Sequence, residues 1–395
     1  MFDEFFHSKF GQMFVINALI TFDIEINETD MTDIMAYVFN RYDIKAVTNK
    51  YYYYKVDDLS RYYHISLPDD FCYFLFYYCK NQILCKVDHS WADGARVVQI
   101  LHDIDAYSRS RYCDRTAHQS HTPHHRSSRM QYHAHRTLQP STQQSSSSQA
   151  ATATTITTTT STTTAPTTNS SKCNFMTIGS HTTEVLCDIK TLQQIQDKFG
   201  GRVSINTLML TALSRVVKTP AVVASALTMS GKHSAGNGAS GIFYPIVSNN
   251  DSNDSVTGNS VTNRAQTINN YVSTSKKVIG SNSQAASDLI SKLYRTLGED
   301  VITFVLATAY SLVLKLPLQI HSTTNLAFGT QPLRWGSATI QHVQIFTSLQ
   351  LHCPNFSYLI FYSYLGHMYV CLNQQPVDLQ LISRMRQEVL SWLQN

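Results

Sequence analysis

Two hydrophobic patterns meet in the N-terminal half of the chain. Over Gln82–Val87, apolar residues fall at alternate positions, which is the pattern of a strand with a buried face. Over Val97–Ile104, apolar residues recur at helical spacing instead. Between these segments stand His89 and Asp93, four positions apart, followed by Gly94. The pattern therefore predicts a loop that carries a histidine where a buried strand gives way to a helix, and such loops commonly hold catalytic groups.

The remaining patterns predict further strands and helices in both halves of the chain. Strands are predicted at Met13–Phe22, Lys50–Val56, Phe71–Cys79, Glu184–Asp188, Ala221–Thr228, Gly241–Val247, Asn325–Phe328, Ala338–Phe346, Phe356–Leu365 and Met368–Leu372. Helices are predicted at Met31–Phe39 with Thr29 as its cap, and at Lys190–Lys198, Val203–Val217, Arg264–Tyr294, Val301–Leu314 and Val377–Leu393. Because both halves mix strands and helices, the predicted architecture is an α/β chain of two lobes.

Residues 114–172 differ in composition from the rest of the chain. Histidines cluster between positions 118 and 135, and a run of Ser, Gln, Thr and Ala follows from Ser141 to Ser171. This composition buries too little apolar surface to order itself, so we predict a disordered linker. It separates an N-terminal lobe, residues 1–113, from a C-terminal lobe, residues 173–395. The histidines leave two interpretations open, a transition-metal site or a solvated low-complexity insertion.

Composition narrows the class of protein. Hydrophobic residues make up 43% of the 395 positions, which is enough for a sizeable core. The net charge of +4 is mild and Lys and Arg are scattered, so no nucleic-acid partner is expected. The eight cysteines form no CxxC pair, and Asp3 and Glu4 precede any apolar run. We therefore expect reduced thiols in an intracellular protein without a secretory signal.

The stretch from Val301 to Pro317 is the one that approaches a membrane span. Its uncharged part ends at Lys315, which is shorter than the roughly 20 apolar residues that a span needs. A buried core helix is the preferred interpretation, and peripheral contact with a lipid surface stays open.

His89 is the histidine that we nominate as a general base. An imidazole titrates near neutral pH, so it can take a proton from an alcohol or amine and return one to a leaving group. Asp93 has two interpretations: it orients the imidazole directly, or it forms a buried salt bridge that holds the loop. Gly94 suits a tight turn and close packing. Spacing alone does not separate a catalytic histidine from one that completes the end of a strand.

The chain lacks the motifs of several other mechanisms. It has no GxSxG elbow, no phosphate-binding glycine loop and no HExxH sequence. We therefore expect direct attack by an acceptor that His89 activates, without a covalent enzyme intermediate.

The segment Asp88–Gly94, with the sequence DHSWADG, resembles the HHxxxDG signature of the CoA-dependent acyltransferase superfamily. Further segments resemble those of the wax ester synthase/diacylglycerol acyltransferase family, in the same order along the chain. These segments are Phe14–Phe22, Tyr63–Pro68, Gly201–Leu210, Pro245–Ser248 with Gly258-Asn259, Thr323–Asn325 followed by Gly329, Phe361–Gly366, and Val377-Asp378. Together they cover most of the chain outside residues 114–172.

The resemblance implies a fold, a reaction and partners. The family fold is a chloramphenicol acetyltransferase-like sandwich of two α/β lobes with a channel between them. Acyl-CoA is the co-substrate, with no metal and no other cofactor. The acceptor is a fatty alcohol or diacylglycerol, so the products are wax esters or triacylglycerol. The location implied is the cytoplasm or the endoplasmic reticulum, with peripheral contact to a membrane or lipid droplet.

The resemblance also implies roles for individual residues. His89 becomes the general base that deprotonates the acceptor hydroxyl, and Asp93 and Gly94 become structural positions of the motif. Asn325 aligns near the channel, where it either helps to polarise the thioester carbonyl or caps a strand.

Departures from the family pattern support a second hypothesis. Asp88 replaces the first His, Thr207 the usual Asp and Asn249 the usual Arg, and the P-L-W segment is missing between Pro68 and Gln82. An Asp beside the base would make the imidazole more basic if its side chain pointed inward. The second hypothesis is therefore a degenerate, non-catalytic member of the same fold that binds acyl-CoA or lipid. A third is transfer to an amine.

Overall fold

The computed structural model describes two lobes, each built on a sheet and its helices. The described residues are 15–42, 53–63, 67, 74–89, 92–118, 176–177, 181–201, 203–217, 221–228, 239–246, 261–275, 319–347, 350–351, 356–374 and 378–394, with a few single positions between 277 and 308. The strands are β1 (Val15–Phe22), β2 (Tyr53–Lys55), β3 (Phe74–Cys79), β4 (Gln82–Asp88), β5 (Met176–Thr177), β6 (His181–Asp188), β7 (Ala221–Thr228), β8 (Ala239–Ile246), β9 (Gln319–Ala327), β10 (Arg334–Trp335), β11 (Ala338–Thr347), β12 (Gln350–Leu351), β13 (Phe356–Tyr364) and β14 (His367–Gln374). The helices are α1 (Glu28–Arg41), α2 (Gly94–His118), α3 (Ile189–Lys198), α4 (Ile205–Val216), α5 (residues 261–275) and α6 (Leu379–Gln394), and a 3₁₀ turn covers Leu59–Tyr62.

The N-terminal sheet is arranged around β1. Within the described residues its strand order is β10-β11-β1-β4-β3-β2, and β1 runs antiparallel to both of its neighbours. The strands β1, β3 and β4 are buried along almost their whole length, which explains their continuous apolar sequences. Helices α1 and α2 contribute apolar side chains to the same core as this sheet.

Helix α1 begins at Glu28, earlier than the sequence predicted. Its cap is Asn27, whose Oδ1 accepts a hydrogen bond from the Asp30 backbone amide at 2.7 Å. The prediction of Thr29 as the cap is wrong, because Thr29 already lies inside the first turn. Asn and Thr are both favoured as caps, so residue type alone does not separate the two positions.

The C-terminal sheet lies between two cores. Its strand order among the described residues is β6-β14-β13-β9-β7-β8, and α3 to α6 pack on one of its faces. Along β13, Leu359 and Phe361 lie in the core with these helices. Ile360 and Tyr362, which alternate with them, lie in the core of the N-terminal lobe. The second face of this sheet therefore packs directly on the N-terminal lobe.

A hairpin from the C-terminal half joins the N-terminal sheet. Strands β9 and β13 are parallel neighbours in the C-terminal sheet, yet the chain between them forms β10 and β11 at the edge of the other sheet. Strand β11 pairs with β1 from Ile16 to Phe22. Trp335 on β10 is fully buried and packs edge-on against Phe22 and Phe76. Main-chain pairing as well as side-chain packing therefore ties the two lobes together.

Two predicted boundaries differ from those observed. Strand β9 covers Gln319–Ala327, whereas the sequence predicted Asn325–Phe328, because polar residues interrupt its apolar pattern. Helix α2 continues to His118, past the predicted lobe boundary at residue 113. Residues 119–172 of the predicted linker and most of the predicted helix Val301–Leu314 lie outside the described residues. The division into lobes at 113 and 173 stays a prediction.

His321 on β9 is a buried histidine that links protonation to stability. Its Nδ1 lies 2.6 Å from the Ser357 hydroxyl, and burial lowers its pKa from the usual 6.5 to about 4. Between these two pH values the unfolded chain binds a proton that the folded chain does not. The contribution of His321 to the free energy of unfolding is therefore fully present above pH 6.5 and is lost as the pH falls towards 4.

We expect His321→Gln to flatten the pH dependence of stability in this window. Glutamine can still bond to Ser357 but does not titrate, and one proton contributes at most about 1.4 kcal/mol per pH unit. Urea unfolding of wild type and variant at a series of pH values across the window measures the difference. An equal slope in the two proteins would contradict this account of His321.

Candidate active site

A pocket lies where the two sheets and the start of α2 meet. Its cavity volume is about 70 Å³, and the space between its lining atoms, counted out to the open mouth, is about 530 Å³. The lining residues come from both lobes: Ile16, His89, Asp93, Gly94, Ala95, Thr324, Leu326, Ile345, Thr347, Tyr358 and Ile360. Its wall is mostly apolar, and its polar lining residues are one histidine, one aspartate and three residues with hydroxyl groups.

Strand β4 carries His89 to the pocket. The strand is held between β1 and β3 and ends at Asp88, so His89 is the first residue beyond it. Val87 pairs in register with Ile16, and strand alternation places His89 on the same side as Val87. The imidazole is half-buried and lines the pocket. Its position therefore suits a base, while the role itself stays a prediction.

Asp88 lies on the opposite side of β4 from His89. It is fully buried and is not among the residues that line the pocket. Alternation along the strand places Asp88 on the face of Lys86. Asp88 would act directly on the imidazole only if its side chain pointed into the pocket. It lies on the opposite face of β4, so this condition is not met.

Asp93 caps the helix that forms one wall of the pocket. Its Oδ1 accepts a hydrogen bond from the Arg96 backbone amide at 2.8 Å, and its carbonyl accepts one from the Val97 amide at 3.1 Å. A buried carboxylate at this end of α2 also lies against the positive end of the helix dipole. Asp93 is therefore a helix cap. Neither interpretation offered from the sequence was a cap, although an Asp directly before a helical pattern is a typical signal for a helix cap.

Gly94 allows α2 to begin directly against β9. A Cβ built on Gly94 would lie 2.6 Å from Leu326 Cδ2, which is closer than two such carbons approach. Leu326 is itself buried, so it has little room to move away. The close packing that the sequence predicted for Gly94 is therefore a contact between the two lobes.

Asn325 does not line the pocket. Its neighbours Thr324 and Leu326 do, and a residue between two such neighbours in a strand faces the other side of the sheet. Asn325 pairs in register with Phe361, which lies in the core against the C-terminal helices. The structure therefore places Thr324 on the pocket wall and Asn325 outside the pocket lining, and a role for Asn325 at the carbonyl stays a prediction.

The sequence patterns did not indicate the hydroxyl side chains of the pocket wall, Thr324, Thr347 and Tyr358. Burial raises the pKa of Tyr358 to about 12, so its phenol keeps its proton at neutral pH and can donate a hydrogen bond. Thr and Tyr are common strand residues, so their presence alone is not a functional signal. They become neighbours of the site only through strand register, in which Thr347 pairs with Ile16 and Thr324 with Ile360.

The part of the chain that the structure describes contains no group of three His, Cys, Asp or Glu side chains suited to a metal ion. The histidine-rich segment lies outside that part, apart from the end of α2 at His118. The two interpretations of that segment therefore stay open.

Solved structures of known proteins share the architecture described above. No family profile and no curated protein sequence matches the chain. The structure is similar to the first condensation domain of the calcium-dependent antibiotic synthetase in complex with a substrate analogue, with a TM-score of 0.51 and 9% identity over 97% of this chain and 91% of that chain. The chain has the fold of a condensation domain. The predicted α/β fold of two lobes is thereby confirmed.

Two other solved structures are similar at lower scores. One is the wax ester synthase/diacylglycerol acyltransferase from Marinobacter aquaeolei VT8, with a TM-score of 0.45 and 10% identity over 100% of this chain and 98% of that chain. The other is the epimerization domain from the third module of tyrocidine synthetase B, with a TM-score of 0.49 and 11% identity over 97% and 91%. At such identities the condensation-domain fold describes an architecture and not a reaction.

We expect Gly94→Ala to weaken the contact between the lobes, because the added methyl group overlaps Leu326. Overpacking of this kind lowers the free energy of unfolding by roughly 1–3 kcal/mol. Chemical denaturation measures the loss, and a double-mutant cycle with Leu326→Ala serves as the control. The cost of Gly94→Ala should shrink when Leu326 is truncated, and an equal cost in both backgrounds would contradict the assigned contact.

Proposed function

We propose that this chain is an acyltransferase that moves a fatty acyl group from acyl-CoA to the hydroxyl of a fatty alcohol or diacylglycerol. The observation that carries the proposal is the placement of His89 on the wall of a mostly apolar pocket between the two lobes. The resemblance of Asp88–Gly94 to the acyltransferase signature supports it independently.

The proposed reaction proceeds by direct attack. His89 takes the proton of the acceptor hydroxyl as its oxygen attacks the thioester carbonyl. The tetrahedral intermediate then expels the CoA sulfur, the carbon–sulfur bond breaks, and the imidazolium returns the proton to the thiolate. Ester and free CoA leave, and the imidazole is neutral again. No acyl group is attached to the protein at any step.

The pocket wall supplies groups that suit this chemistry. The aliphatic side chains of Ile16, Ile345 and Ile360 suit an acyl chain, since burial of methylene groups is favourable. A hydroxyl on this wall can donate a hydrogen bond to the oxygen that gains charge in the intermediate. We propose Thr324 for this role, because it occupies the pocket wall where the sequence had suggested Asn325.

The second candidate is a protein that binds acyl-CoA or lipid without transferring it. The replacement of the first signature histidine by Asp88 is the feature that favours it. The apolar pocket would serve binding equally well, so the two candidates differ in whether His89 contributes to a measurable rate.

Contact with a lipid surface follows from the proposed acceptors, which are themselves found in lipid. No described helix has the length and hydrophobicity needed to cross a bilayer. Three exposed apolar side chains, Val301, Phe304 and Val305, lie at helical spacing. We propose peripheral attachment to a membrane or lipid droplet, at the endoplasmic reticulum or from the cytoplasm.

Co-flotation with phospholipid vesicles containing diacylglycerol would support attachment, and recovery entirely in the soluble fraction would contradict it.

We expect His89→Ala to lower acyl transfer by roughly 10²–10⁴-fold, which is the usual contribution of a general base. Purified protein is incubated with mixed acyl-CoAs and with a fatty alcohol, diacylglycerol or a primary amine, and the products are measured by mass spectrometry. His102→Ala is the matched control, because His102 is also half-buried but lies on α2 outside the pocket lining.

The outcomes of this experiment separate the hypotheses. Equal rates for wild type and His89→Ala would remove His89 from the mechanism. Measurable acyl-CoA binding without any product across the panel would support the binding protein instead. Product with the amine alone would keep the transferase and change the acceptor.

A further inference from the structure

Two charged residues are fully buried in β4 directly before His89. Lys86 and Asp88 both have no exposed surface, and alternation along the strand places them on one face. Taking an ammonium or carboxylate group out of water is unfavourable by several kcal/mol, and apolar residues of similar volume often stabilise such a position better. A lysine is therefore expected at such a position where its hydrogen bonds hold other segments in place.

The contacts of Lys86 join three segments near the pocket. Its Nζ donates a hydrogen bond to Asn17 Oδ1 at 2.6 Å and another to the carbonyl of Tyr63 at 3.2 Å. Asn17 lies on β1 in register with Lys86 and directly follows Ile16, which lines the pocket. The amine thus connects β4, β1 and the segment after the 3₁₀ turn within a few residues of His89.

We propose that Lys86 is a positioning residue for His89: by binding Asn17 and the Tyr63 carbonyl, it fixes the end of β4 from which the imidazole enters the pocket. The activity readout of this inference rests on the proposed function. The structural readout does not, because the environment of His89 can be measured without any turnover.

Strand geometry explains how a residue on one face can place a residue on the other. His89 follows β4 directly, so the position of its Cα depends on how the last residues of β4 lie against β1. The pair Lys86–Asn17 constrains this end, close to the pocket. Displacing a catalytic group by even 1 Å can reduce a rate on the order of 10²-fold.

The same two strands provide a matched comparison. At the far end of β4, Gln82 Nε2 donates a hydrogen bond to Thr21 Oγ1 on β1 at 3.2 Å. Both bonds join side chains of paired residues on β4 and β1, and both lie on the same face of the sheet. They differ in their distance along the strand from His89, which is the variable that the proposal concerns.

The electrostatic environment of Lys86 guides the choice of substitutions. Burial lowers the pKa of Lys86 to about 7, so its charged form is already disfavoured in the folded protein. Its hydrogen bonds do not require the charge, since a neutral amine still has N–H donors. Lys86→Gln therefore keeps an uncharged donor that can bond to Asn17, whereas Lys86→Met removes the donors and keeps the apolar stem.

The experiment compares Lys86→Met, Lys86→Gln and Gln82→Met with wild type. We expect Lys86→Met to lower kcat about tenfold or more with little change in the KM for acyl-CoA, and Lys86→Gln to recover a large part of the loss. Gln82→Met should leave kcat within about twofold of wild type. In protein with ¹³C-labelled histidine, the His89 ring resonance, assigned by its absence in His89→Ala, should move in Lys86→Met and not in Gln82→Met.

The two readouts keep this proposal separate from the proposed function. If wild type shows no transfer, the proposed function fails and the His89 resonance alone decides the positioning role. An unmoved His89 resonance in Lys86→Met, or an equal effect of Gln82→Met, would overturn the proposal. If Lys86→Met does not fold, Asn17→Ala takes its place, because it removes the same hydrogen bond from the other side. An unmoved His89 resonance in Asn17→Ala would then overturn the proposal.

Discussion

The pairing of β11 with β1 is the contact on which the rest of the structure depends. It completes the N-terminal sheet with a strand from the C-terminal half, and it sets Thr347 opposite Ile16 on the wall of the pocket. The hairpin turn before β11 is held by Asp30 of α1, whose carboxylate accepts a hydrogen bond from the Ser337 backbone amide at 2.8 Å. A slip of one residue in this register would turn Ile345 and Thr347 to the other face. This wall of the pocket therefore forms only when β11 pairs with β1 in the observed register.

The sequence was sufficient where a local pattern decides the structure. The alternation in β4 and the helical spacing in α2 predicted where His89 and Asp93 lie along the chain, and both segments agree with the observed elements. The sequence did not show which face of β9 Asn325 occupies, because a one-residue difference in a strand reverses the face. In that part of β9, polar residues occupy consecutive positions, so no alternation marks which of them faces the pocket. Pairing between β11 and β1 was also beyond reach, since it joins residues that are far apart in the sequence.

The segment Asp88–Gly94 divides into parts with different physical tasks. His89 lines the pocket, Asp93 begins α2 as its cap, and Gly94 lets that helix approach Leu326 of the other lobe. Asp88, where the sequence departs from the acyltransferase signature, lies on the far side of β4 in a fully buried position with Lys86. The departure therefore lies outside the pocket lining, and on this ground we propose catalysis rather than binding alone.

The central claim is that an acyl thioester reacts beside His89 in the pocket between the lobes. A crystal structure of the wild-type protein with a non-hydrolysable thioether analogue of acyl-CoA tests it most directly. We predict that the acyl chain lies along the apolar wall with the carbon next to sulfur facing His89. An analogue bound at another surface, with the pocket beside His89 empty, would contradict the claim.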